Sequence, residues 1–213
     1  MKRINQIAVL GAAMMLAAPF ALAATIINSS SATVNLTAVP SGSGIPLGPA
    51  VNLGSTGLAP WLDAISGSQW VGPEANTVPG GVVAPNGTYT YTSTFTLGVG
   101  SYGGFIEVMA DDTTDVYLNG FLITPAAADI AGSHCTVSTP NCVTLSMYLL
   151  PTGDFLTGTN TFTFDVHQDF YSATGLDFQA QINPTPEPSS LIMLGSGLLS
   201  GAGMLLRRRR QTA

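Results

Sequence analysis

Lysine and arginine are absent between Ala24 and Leu206, a gap that excludes more partners than any residue present admits. All six basic residues lie at the two ends, as Lys2, Arg3 and Arg207 to Arg210, while the stretch between them carries all twelve carboxylates. Nucleic acid and anionic lipid need basic patches, so that stretch is expected to bind neither. It has no guanidinium to grip a phosphate, and its only possible cations are His134 and His167. Cysteine is nearly as scarce. Cys135 and Cys142 are the only two, and their spacing is not the C-x2-C of a zinc site. A sustained helical period is missing between Ala24 and Asn183. No serine sits in a G-x-S-x-G context, and no glycine-rich phosphate loop precedes a helix. Enzyme chemistry therefore has no positive support in the residues.

What is present concentrates at the ends. Lys2 and Arg3 precede an apolar stretch from Ile7 to Ala18, and Ala21-Leu22-Ala23 supplies small residues for cleavage before Ala24. That order reads as a secretory signal peptide. At the other end, Pro184-Thr185-Pro186-Glu187-Pro188 forms a hinge that cannot continue a helix. A charge-free run from Leu191 to Leu206 follows, and Arg207 to Arg210 close it. Its sixteen residues span about 24 Å as a helix, short of a hydrocarbon core of roughly 30 Å. Ser189, Ser190 and snorkelling arginines can make up the difference, with the arginines holding their end on the cytoplasmic side. The run reads as a marginal anchor of the inner membrane.

This sequence of hinge, apolar run and arginines resembles the PEP-CTERM sorting signal of Gram-negative bacteria, through Pro186, Glu187, Pro188 and Arg207, Arg208, Arg209, Arg210. The resemblance implies export and processing near the motif by an exosortase, an intramembrane transpeptidase, with release to the cell surface or beyond. A second motif misleads. Leu150-Pro151-Thr152-Gly153 looks like a Gram-positive sortase site, but it lacks a residue and no anchor follows it. The chain thus divides into a signal peptide over 1–23, an exported domain over 24–183 and a sorting and anchor segment over 184–213.

Within the exported domain, apolar residues alternate with polar ones. Thr88 to Leu97 places Tyr89, Tyr91, Phe95 and Leu97 on one face, and Thr161 to His167 turns Phe162, Phe164 and Val166 inward. Phe105 to Ala110 reads as a buried strand, and Asp115 to Leu118 begins the next. Asn86-Gly87 and Asn119-Gly120 are tight-turn dipeptides. Thr33 to Val39 can add a strand, and Ser41 to Pro60 reads as a long surface loop or an irregular edge. Period two with Gly, Asn and Pro between the segments predicts an all-β antiparallel sandwich of jelly-roll type. In an oxidising compartment, Cys135 and Cys142 are expected to close a disulfide. The stretch from Trp70 through Gly87–Phe95, Ala110-Asp111-Asp112 and Asn119-Gly120 to Gly158–Phe164 resembles galactose-binding-like jelly rolls. That resemblance implies the fold, since such domains bind glycans in some proteins and only pack in others.

Candidate sites each have a plain alternative. Asp111, Asp112 and Asp115 can supply oxygens to Ca²⁺, or cap turns. Asp165, His167 and Asp169 can form a carboxylate–His–carboxylate row, or a solvated strand face. Trp61, Trp70, Tyr102 and Tyr171 can offer stacking faces to sugars, or fill a core. The leading expectation is a non-enzymatic surface or matrix protein associated with exopolysaccharide or biofilm. The alternatives are a Ca²⁺-dependent glycan-binding module and a secreted carbohydrate-active enzyme. The enzyme would use paired carboxylates such as Asp111 and Asp165 at separations of about 5 to 9.5 Å.

Overall fold

The computed structural model describes residues 23–30, 32–128, 135–170, 172–185 and 195–201. Ala21, His134, Tyr171, Pro186, Glu187, Pro188 and Arg207 to Arg210 lie outside them. The chain divides into a compact unit over Ala24–Pro184 and a second one formed by Met1–Ala23 and Thr185–Ala213. Within the second unit, residues 195–201 are helical. Among the described residues, no helix is long and apolar enough to cross a membrane.

The Ala24–Pro184 unit is built from two antiparallel sheets. One contains β1 (Thr25–Asn28), β4 (Val51–Gly54), β5 (Trp70–Gly72), β7 (Tyr102–Asp111), β10 (Ser146–Leu150) and β12 (Gly175–Pro184). Its order is β10-β7-β12-β5-β4, with β1 also on β12. The other contains β2 (Val34–Ala38), β3 (Gly48–Pro49), β6 (Gly87–Leu97), β8 (Thr113–Leu118), β9 (Phe121–Thr124) and β11 (Gly158–Gln168), in the order β3-β2-β6-β11-β8-β9.

Alternation positions the core. Tyr89, Tyr91, Phe95 and Leu97 of β6 are buried, as are Phe162, Phe164 and Val166 of β11. Phe178 of β12 meets Phe164 at 4.4 Å and Phe162 at 6.3 Å between ring centroids, joining the two sheets through one aromatic cluster. Each such ring contributes roughly 1.5–3 kcal/mol by leaving water. Asn119 (φ 52°) and Gly120 (φ 84°) take the left-handed conformations of a tight hairpin turn between β8 and β9. Asn160 accepts hydrogen bonds from Leu156 N and Asn119 Nδ2, tying that turn to the start of β11.

β7 is buried as expected: Ile106, Val108 and Ala110 enter the core, Met109 and Asp111 on its other face are buried too, and Phe105 and Glu107 are half-buried. Of the two readings of the Ser41–Pro60 stretch, the structure shows the irregular edge. It carries β3 at the rim of one sheet and β4 at the rim of the other, with buried Ala50 between them.

Register fixes the geometry of the ends. Thr25 pairs with Ile182, and Pro184 pairs with Tyr102, so the first strand starts where the last one finishes. Both chain ends therefore leave the sandwich at one corner. The opposite end of β12, where Gly175 pairs with Asp111, carries the loops described next.

Candidate functional site

On the outer face of β7 and β12, Met109, Asp111 and Asp177 would meet water on a bare sheet. Loops cover them instead. Trp61, Ile65, Trp70, Met109, Cys135, Cys142 and Ala173 form a second apolar core there. Trp61 and Trp70 stack with centroids 4.4 Å apart and are 5% and 1% exposed. Their burial leaves neither a face for a sugar, so the expected Trp61–Trp70 platform is instead a core. Gly175 is required beneath them, since a Cβ there would lie 2.7 Å from the Trp61 ring.

Cys135 and Cys142 form a disulfide, with Cα atoms 5.3 Å apart. The loop it closes is sewn to the sheet corner. Cys135 N donates to Asp112 Oδ1 at 2.9 Å, Ala110 N to Asn141 O at 3.2 Å, and Leu62 N to Cys142 O at 3.1 Å. Two buried carboxyls hold the remaining loops. Asp177 accepts Ser29 Oγ (2.7 Å), Ser68 Oγ (2.5 Å) and Ile65 N (2.7 Å). Burial raises its pKa, and those donors pull it back. Asp111 accepts Trp61 Nε1 at 2.6 Å. Burial pushes its carboxyl up to about 8, the adjoining Asp112 adds to the rise, and Trp61 opposes it.

Of the three aspartates named for Ca²⁺, Asp111 and Asp112 hydrogen-bond one another, while Asp115 takes partners of its own. Asp112 accepts Cys135 N and Asp169 N, whereas Asp115 accepts Ala126 N at 2.7 Å and pairs with His167 Nε2 at 2.8 Å. The group that does converge is Asp111, Cys135 and Cys142, with potential ligand atoms within 4.8 Å of one another. Two of those atoms are the sulfurs of a disulfide, neutral and unsuited to a hard cation that prefers several oxygens. This donor set does not fit Ca²⁺. The Asp165–His167–Asp169 row is also interrupted, because β11 ends at Gln168. Asp165 accepts Thr90 Oγ1 at 2.7 Å and Asp111 accepts Trp61 Nε1, so the two carboxyls named for hydrolysis are each held by a different partner.

One cleft opens beside Asp111. It measures about 340 Å³ and is lined by Pro60, residues 78–83, Asp111, Phe170, Ser172 and Ala173. One wall is a tight turn in which Gly81 N donates to Val78 O (2.8 Å) and Val82 N to Asn76 O (2.6 Å). A Cβ on Gly81 would strike Asn76 O, so only glycine fits there. The other wall is pinned on both sides of Phe170. Asp169 N donates to Asp112 Oδ2 at 2.8 Å, Ala84 N to Ser172 O at 2.9 Å, and Thr174 Oγ1 to Asp111 O at 3.0 Å. Phe170 itself has φ 64° and is 51% exposed. A bulky residue in the left-handed region costs about 1–3 kcal/mol. Sequence reading missed Phe170, Val82 and Val83. The single trace was two adjacent aromatics, Phe170-Tyr171, directly after an alternating strand.

No curated protein matches the chain. Solved structures similar to it include the CBM36-1 domain of a multidomain xylanase from the hindgut metagenome of Trinervitermes trinervoides (9% identity, 77% of this chain and 99% of that one, TM-score 0.39). An FMN-binding β-glucuronidase from Facaelibacterium prausnitzii L2-6 is similar over 76% of this chain and 23% of its own (15% identity, TM-score 0.44). A carbohydrate-binding module CBM36, solved with calcium and xylotriose, is 10% identical over 74% of this chain and 98% of that one, with TM-score 0.34. At these values no residue carries a role from one chain to another. The tail is different: residues 184–210 match the PEP-CTERM protein-sorting motif, a signal for export and sorting by an exosortase.

Proposed function

We propose that this is an exported, non-catalytic protein of the cell surface or extracellular matrix, associated with neutral exopolysaccharide. The observation that carries the reading is the sorting motif at 184–210, which begins at the last residue of β12. Two features of the sandwich support it. Both chain ends leave at one corner, so the domain can fold while its N-terminal signal and C-terminal tail are still in place. The stretch between the ends lacks lysine and arginine, which favours uncharged partners over polyanions. Calcium is not part of this proposal, because the residues that converge do not suit it.

Sorting is tested by replacing Pro186, Glu187 and Pro188 with alanine. Export should proceed, and the protein should accumulate uncleaved in the inner membrane, as read by fractionation and intact mass. Normal release of a shortened protein from this variant would refute the assignment.

A further inference from the structure

We propose that the cleft between residues 78–83 and Phe170, Ser172 and Ala173 is a binding site for a neutral saccharide, with the Phe170 ring as its stacking face. The inference deepens the polysaccharide reading above and rests on it.

Val82, Val83 and Phe170 are 45%, 53% and 51% exposed around one cleft, although each would gain from burial. Folding does not account for the placement of Phe170. Its backbone occupies a conformation that glycine would hold without strain, while half of its side chain remains in water. Hydrogen bonds flanking Phe170 and across the 76–82 turn fix both walls, so the ring is presented on a rigid support.

The chemistry of the lining selects the ligand. Phe170, Pro60, Pro79 and the valines give an apolar surface edged by the half-buried Ser172, with the Asp111 carboxyl buried beneath it. A pyranose has both kinds of surface, with C–H faces for an aromatic ring and hydroxyl edges for polar groups. A polyanion would find no lysine or arginine there. The raised pKa of Asp111 fits the same environment, since the carboxyl stays largely neutral below about pH 8. At about 340 Å³ the cleft lies at the small end of ligand pockets, which suits a short stretch of a chain.

Affinity electrophoresis of the exported, processed protein tests the proposal. The gels contain the host exopolysaccharide, xylan, galactomannan, a neutral β-glucan or the polyanion alginate. Wild type should be retarded by at least one neutral polymer and not by alginate. Phe170→Gly should weaken that retardation about tenfold or more, while its melting temperature stays equal or rises. Leu149→Ala, at an 81% exposed position on β10, should bind as wild type does. Unchanged binding by Phe170→Gly would overturn the cleft assignment and leave the polysaccharide reading standing. Retardation by alginate alone would overturn the ligand class. No retardation by any polymer would overturn both.

Discussion

At pH 7 a carboxylic acid in water is ionised, yet burial and the adjoining Asp112 push the Asp111 carboxyl up to about 8. The unfolded chain releases this proton near pH 4. Between those values the folded state binds more protons than the unfolded one, so this group's contribution to stability falls as pH rises. It is fully present below about pH 4 and lost through about pH 8. Asp111→Asn keeps an acceptor for Trp61 Nε1 and cannot ionise. Melting temperatures measured at pH 5, 6.5 and 8 should fall more steeply for wild type than for the variant. Parallel curves would show that Asp111 ionises normally. Sequence alone could not reveal this environment. Asp111, Asp112 and Asp115 read as one cluster because they are close in the chain, but β7 ends at Asp111 and β8 begins at Thr113. Asp111 and Asp112 stay together at the turn between the strands, and Asp115 is carried off to partners of its own.

Strands were legible where one face meets the core and the other meets solvent. That condition holds for β6 and β11, whose period-two patterns match their burial residue by residue. It fails for the segments lying over β7 and β12. Residues 55–69 and 135–142 carry no period, so Trp61 and Trp70 fit a sugar platform or a core equally well until the sheet beneath is seen. Phe170 follows a strand with nothing in its neighbours to announce a positive φ. The cysteine pair was legible, and its consequence is larger than loop closure. Cys135 and Cys142 pack in the core that contains both tryptophans. Replacing both with serine should cost about 2.5–4 kcal/mol, of which roughly 2.5 is loop entropy. For a domain of this size, that is a fall of about 5–15 °C in melting temperature. Calorimetry reads the fall, and tryptophan emission should shift to the red because the loop no longer seals the indoles. A variant melting within about 1 °C of wild type would remove the structural role of the bridge.

For the whole molecule, the missing cations govern the response to salt. Between Ala24 and Leu206 the only side chains that can carry positive charge are His134 and His167, against twelve carboxylates. Added salt has almost no attraction to screen and much repulsion. Raising NaCl from about 10 mM to 0.15 M shortens the screening length from roughly 30 Å to 8 Å. The processed protein should gain about 1 kcal/mol, or 2–4 °C in melting temperature, over that range. A melting temperature that falls with NaCl would mean that attractive pairs dominate. Potassium chloride should act equally, which separates screening from a specific ion.

The single corner from which both termini depart sets a direction as well as a fold. Ten residues of β12 run from that corner to Gly175, and at about 3.3 Å each they span roughly 30 Å. The cleft at the Gly175 end therefore stands a full strand length from both chain ends of the sandwich, so a ligand held there does not crowd either of them. Under the polysaccharide reading proposed above, one long polymer can take the clefts of several copies at once, gaining avidity that no single cleft of this size supplies.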